Sequence, residues 1–264
     1  MSVLKSKRVL SPHEYVTNFI DLYKYTEERL AGVPKRKRKW LCEPIILKMN
    51  SIYNIIADSN CDYYISNTKL CDNTDIANEI INELLNLQRP LLALWNIEKY
   101  KTQKMAHWSD LINEEINYVK RIGVIKEEKA KLFIIDYEAV NKADFLKALS
   151  KLHRLIYSKT ISLPDNIRGT KGLLLMRLAD DALYYAYDAN RFVPTTKVMY
   201  DARATKMIKA YKRLKAMDNP MFSLFNLMGY SEKTMIETAN ALQDATNLLY
   251  GVIKSDKERF KDLE

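Results

Sequence analysis

The chain repeats itself at an interval of 130 residues, and that interval governs what it can fold into. The stretch Val9 to Tyr15 recurs as Ala139 to Phe145. With no gap the same offset pairs Leu22 with Leu152, Lys24 with Arg154, Pro34 with Pro164, Asp58 with Asp188 and Asn60 with Asn190. Further on it pairs Ile112 with Leu242 and Val119 with Leu249. Solenoid repeats run to roughly 20–50 residues, so a period of about half the 264-residue chain implies two copies of one small domain. The expected division is residues 1–123, a junction over 124–140, and residues 141–264.

Helical periodicity fills both copies. Ser11, Pro12 and Glu14 form a helix start with a capping box, followed by Tyr15, Phe19, Leu22, Tyr23, Thr26 and Leu30 on one face. A second helix carries Leu41, Ile45, Met49, Ile52, Tyr53 and Ile56, and residues 60–73 read as a loop. A third opens near Thr74, with a kink expected at Pro90. A fourth spans roughly 102–122. In the second copy, Asn141 is the expected cap and Asp144 the first-turn acid of helix five, with a break at Pro164 and Gly169. Helix six carries Leu175, Leu178, Ala179, Ala182 and Ala186. Helix seven runs from about Thr196 to Met217 with Ala204, Met207, Ile208, Tyr211 and Leu214 inward. A loop is expected over 218–230. Ser231 then caps helix eight, and a fraying tail follows from Asp256. Short connections imply antiparallel neighbours, so the expectation is an all-α fold of two tandem antiparallel four-helix bundles. An apolar leader, Lys131 to Val140, precedes the second.

Few residues suit catalysis or metal binding. The positions three before His13, His107 and His153 are Leu10, Lys104 and Ser150, so the Glu-x-x-His pairs of di-iron bundles are missing. There is no phosphate-binding Gly-rich loop and no His-Glu-x-x-His motif. Cys42, Cys61 and Cys71 follow no zinc spacing and read as reduced thiols, the first two as packing residues. No enzyme activity, cofactor or metal is expected. The N-terminal residues lack the apolar core of a signal peptide and no apolar run approaches the ~20 residues that span a bilayer. A soluble, cytoplasmic protein is expected.

Charge is the informative property. The chain carries +9 overall, split as +2 over residues 1–128 and +7 over 129–264, a balance suited to polyanions. Lys35, Arg36, Lys37, Arg38 and Lys39 form an unbroken cationic run at the turn between helices one and two. Five phosphate contacts to a single strand would give a slope against log salt of roughly −3.5, about a hundredfold weakening between 50 and 200 mM. Trp40, next in line, either stacks on a base or opens the core stripe of helix two. In the second copy the equivalent turn has lost most of that charge. Arg203, Lys206, Lys209, Lys212, Arg213 and Lys215 instead stud helix seven. Lys206, Lys209 and Arg213 share a face, an expected cationic ridge whose bland alternative is a solvated helix surface. Tyr184, Tyr185 and Tyr187 read as packing residues.

Several of these residues carry a resemblance. Val3 to Arg8, the Ser11-x-x-Glu14-Tyr15-Val16 start, Val33 to Arg36 with Trp40, Leu41 and Cys42, and Leu87 to Trp95 resemble Avd-type accessory proteins of phage and bacterial diversity-generating retroelements. That family comprises basic four-helix bundles related to ribosomal-RNA intervening-sequence proteins. The likeness covers residues 1 to about 122 directly and 131–255 through the internal repeat. It implies a non-enzymatic accessory that binds the element's reverse transcriptase and template RNA and supports mutagenic cDNA synthesis. Single-domain members form ring-like pentamers, so a homo-oligomer is implied. The basic positions carried over are Lys5, Lys7, Arg8 and Lys35 to Lys39. The tandem arrangement departs from the family pattern. The rival expectation is a helical-bundle adaptor that meets only protein.

Overall fold

Apolar stripes at helical spacing are buried only if the helices that carry them pack face to face, and the structure, a computed structural model, is built this way. It describes residues 13–125, 139–191 and 193–263. The fold is all-α, with no strand among the described residues. Two compact units divide the chain, Met1–Ile135 and Asp136–Glu264, so the division falls inside the expected junction.

The first unit contains α1 (Glu14–Ala31), α2 (Lys35–Leu41), α3 (Glu43–Ser66), α4 (Thr74–Asn86), α5 (Gln88–Glu98) and α6 (Thr102–Ile122). Its four longer helices pack in a closed cycle, α1 on α3, α3 on α4, α4 on α6 and α6 on α1. Side-chain bonds fix the antiparallel direction. Across α1 and α3, Tyr15 donates to Ser59 (3.3 Å) and Tyr23 to Asn50 (2.6 Å). Across α1 and α6, Asn18 donates to Glu115 (2.7 Å), and the Trp108 indole donates to Thr26 Oγ1 (3.0 Å). Phe19, Leu22, Ile45, Met49, Ile52, Ile56, Ile80 and Ile112 fill the interior.

The second unit contains α7 (Ala139–Lys142), α8 (Asp144–Ile161), α9 (Asp165–Ile167), α10 (Leu173–Asn190), α11 (Lys197–Lys215), α12 (Asp218–Met228) and α13 (Glu232–Arg259). A π-helical turn, Arg168–Gly172, joins α9 to α10. Its long helices close the same cycle, α8 on α10, α10 on α11, α11 on α13 and α13 on α8. Alanines 179, 182, 186 and 210 are buried here where the first unit has Met49, Ile52, Ile56 and Ile80. Small residues let the backbones of α10 and α11 approach, which brings their flanking charges within reach of each other.

The 130-residue interval survives as geometry. Helices α1 and α8 start and end 130 residues apart, as do α5 and α12. Tyr100 Oη donates to Arg29 O (2.9 Å) in one unit, and Tyr230 Oη to Lys159 O (3.0 Å) in the other. Arg38 donates to Ala31 O, and Arg168 to Ile161 O, each at 2.6 Å. The Tyr23–Asn50 bond has its counterpart in His153 and Asp180 at 2.8 Å. The same Tyr and Arg side chains cap the equivalent backbone carbonyls, while the interhelical pair changes its residues and keeps its place.

Several expected boundaries are corrected. Residues 60–66 are not loop: α3 runs to Ser66, and a 3-10 turn follows at Leu70–Asp72. The His13 ring stacks on Tyr64 and meets Tyr63 edge-on, giving this last stretch a partner. Residues 218–228 form α12 rather than loop. Pro220 sits in its first turn, where a missing N–H costs no intrahelical bond. Pro90 stands likewise in the first turn of α5, and the expected kink is a break at Leu87. Asn141 does not cap helix five. It belongs to α7, and Ala143, with extended backbone, precedes α8. The tail from Asp256 does not fray at once, since α13 continues to Arg259 and Phe260 packs against Tyr200. Tyr53 is exposed rather than core, as is Ile208, while Tyr200, Arg203 and Ala210 turn inward on α11. Ser11 and Pro12, and the leader up to residue 138, lie outside the described residues.

Candidate nucleic-acid interface

Pro34 and the cations after it form α2, a two-turn helix, and not an open turn. Its five charges are thereby sorted. Lys37 Nζ bonds Glu98 Oε1 at the end of α5 (2.7 Å). Arg38 reaches back to Val33 O (2.9 Å) and Ala31 O (2.6 Å), satisfying carbonyls that the end of α1 leaves open. The Lys39 ammonium lies 5.3 Å from the Trp40 ring centroid, and Trp40 itself is buried. Trp40 is therefore a core residue and not a base-stacking one. Lys35, Arg36 and Lys39 are exposed. Of the carried-over cations, Lys5, Lys7 and Arg8 lie outside the described residues.

The fold adds cations that the linear run does not contain. The Tyr100–Arg29 and Lys37–Glu98 bonds hold the end of α5 and the start of α6 beside α2. This brings Lys99, Lys101 and Lys104 to the same end of the unit, all three exposed. Lys99 has left-handed backbone, φ 51° and ψ 43°. A side chain other than glycine there costs on the order of 1 kcal/mol, and the equivalent residue of the second unit is Gly229, φ 61°. Changing Lys99→Gly is expected to raise stability by up to about 1 kcal/mol while weakening polyanion binding. Thermal melting and RNA titration of the same sample check both halves of that expectation.

The second unit keeps the frame and drops the charge at these positions. Asp165, Asn166 and Gly169 stand where the first has Lys35, Arg36 and Lys39. Gly229, Ser231 and Thr234 replace Lys99, Lys101 and Lys104.

The expected ridge on α11 is also corrected. Lys206, Lys209 and Arg213 do share a face, but that face lies against α10. Lys206 Nζ is 2.6 Å from Asp188 Oδ2, Arg213 Nε is 3.1 Å from Asp181 Oδ2, and the Lys209 ammonium is 5.7 Å from the Tyr185 ring centroid. Arg203 is buried, donating to Asp256 at 2.6 and 3.3 Å and to Ala189 O at 2.7 Å. Lys215 pairs with Asp218 at 3.4 Å, and Lys212 is exposed. A sequence signal for this existed: Asp181, Tyr185 and Asp188 are spaced four and three, as Arg213, Lys209 and Lys206 are in reverse. Antiparallel helices bring such rows together.

The remaining polar groups serve packing. Tyr157 Oη donates to Asp180 (2.9 Å), which also meets buried His153. Burial pushes the Cys42 thiol up to about 11, which leaves it an unreactive thiol. Cys61 is exposed rather than packed. Among the described residues no group of three His, Cys, Asp or Glu side chains is placed to hold a metal, and no helix is long and apolar enough to cross a membrane. No protein-family model, curated protein or solved structure matches this chain.

Proposed function

We propose that the chain is a non-enzymatic accessory protein that holds RNA on the basic end of its first unit. One observation carries the reading. The two units share several helix starts and ends and their carbonyl-capping bonds, yet Lys35, Arg36, Lys39, Lys99, Lys101 and Lys104 have only Asp, Asn, Gly, Ser or Thr as counterparts. The second unit demonstrates that this scaffold does not need those cations to fold. Left-handed Lys99 supports the same conclusion, since a strained residue that a duplicate replaces with glycine points to a role beyond folding. Together with the Avd resemblance, this makes the RNA the template of a diversity-generating retroelement. The two units are then duplicated four-helix bundles that also dock the element's reverse transcriptase. The second unit suits the docking task, because Arg203, Lys206 and Arg213 of α11 are paired with Asp256, Asp188 and Asp181 and because Phe222, Leu227 and Ile236 are exposed. That same apolar exposure favours the rival reading, an adaptor for protein alone.

Filter binding of a structured RNA over a salt series separates the two. Six phosphate contacts to unpaired strand give a slope of about −4, and Lys35→Ser/Arg36→Ser/Lys39→Ser makes it shallower by about 2. An unchanged slope, or no binding by the unaltered chain, supports the protein adaptor. Lys37 and Arg38 are left in place because they hold α2 to α5 and α1.

A further inference from the structure

Beside the cationic end, α1 and α6 present an aromatic group that phosphate contact alone does not require. Tyr25 is half-buried, and its hydroxyl donates to Lys104 O (3.1 Å). The His107 ring meets it edge-to-face at 4.9 Å and 89°, and Trp108 braces it from the core at 5.9 Å and 80°. The Arg29 guanidinium lies 5.1 Å from the Tyr25 centroid. His107 itself is exposed, one turn beyond exposed Lys104. Tyr25 therefore orders an outward imidazole ring next to cations.

A ring held in this manner, with ammonium groups within a few residues, is the pairing used to bind single strands: bases stack on the ring while phosphates meet the charges. A duplex, whose bases are already stacked, offers the ring nothing. The second unit again serves as a control, with Leu155 at the position of Tyr25 and Glu237 at that of His107. The platform is missing there, along with the counterparts of Lys99, Lys101 and Lys104. The bland role for such a cluster is surface packing, but an exposed His107 buries little.

We infer that His107, propped by Tyr25, is a stacking site for an unpaired base, so that the basic end takes single-stranded in preference to double-stranded RNA. This deepens the RNA-binding reading and depends on it. Fluorescence anisotropy with a labelled unstructured single strand and with the paired duplex of equal length tests it. His107→Ala weakens the single strand on the order of tenfold and leaves the duplex unchanged, while His107→Phe retains single-strand affinity. Equal loss on both RNAs, no loss on either, or a His107→Phe that falls as far as His107→Ala overturns the stacking site. If Lys35→Ser/Arg36→Ser/Lys39→Ser weakens both RNAs while His107→Ala weakens neither, the stacking site fails and the RNA-binding reading stands. If the unaltered chain binds neither RNA, both fail. Tryptophan fluorescence verifies that each variant is folded.

Discussion

Arg203→Ala is expected to cost the second unit about 3–5 kcal/mol, the largest single loss on its surface-facing helices. The expense comes from what remains, not from the ion pair itself. Asp256 is left as a buried carboxylate, and Ala189 O loses its donor. Two charges removed together leave neither orphaned, so Arg203→Met/Asp256→Leu recovers most of the loss. The readout is specific, because Trp40, Trp95 and Trp108 all lie in the first unit. In denaturant unfolding, far-ultraviolet circular dichroism registers the helices of both units and tryptophan emission the first alone, so a transition lost from the former and unchanged in the latter belongs to the second unit. A single variant as stable as the parent would mean that Arg203 is solvated in solution and its charge available after all.

The second large effect sits in the first unit and depends on pH. Glu115 is 0% exposed, accepts one bond from Asn18, and leaves Oε1 without a partner. Burial, countered by the Asn18 bond and aided by Glu114, pushes its carboxyl from 4.5 up to about 8. The native state thus binds a proton that the unfolded chain has released. Stability is undiminished below about 4.5 and declines as pH climbs towards 8, then levels off. Each tenfold difference in proton affinity between native and unfolded chain is worth about 1.4 kcal/mol, so the decline is on the order of 5 kcal/mol. Glu115→Gln removes the charge at nearly constant shape. It is expected to melt near the parent at pH 5 and well above it at pH 9, by tryptophan emission. A parallel pH dependence in both proteins would show that Glu115 is not the group responsible. In the second unit the equivalent residue is Ala245, also fully buried, so nothing in the scaffold demands a carboxyl there.

The helices are legible in the sequence where one apolar stripe faces one core. The start of α13 comes from a side-chain cap that the sequence displays, Ser231, whose oxygen accepts from Thr234, whereas the Asn73 cap of α4, accepting from Ile76, lies in the stretch read as loop. Residues 218–230 read as a loop because Pro220 looks like a breaker, although a first-turn proline is not one. Its twin Pro90, which falls within a helical pattern, holds the information. Charge is harder to read, because a Lys or Arg names no partner. Lys37, Arg38 and Arg203 look identical in sequence to exposed neighbours, and only the approach of Glu98, Ala31 O and Asp256 distinguishes them. Lys99, Lys101 and Lys104 escape a linear reading for the converse reason. Far from Lys35 along the chain, they join it only once Tyr100 closes onto Arg29.

Quantitative lysine acetylation, with and without saturating RNA and read by peptide mass spectrometry, tests the central claim most directly. RNA should protect Lys35, Lys39, Lys99, Lys101 and Lys104, and leave exposed Lys197 and Lys212 of the second unit as reactive as before. Protection confined to the α11 lysines, with the first unit's end unaltered, would contradict the account.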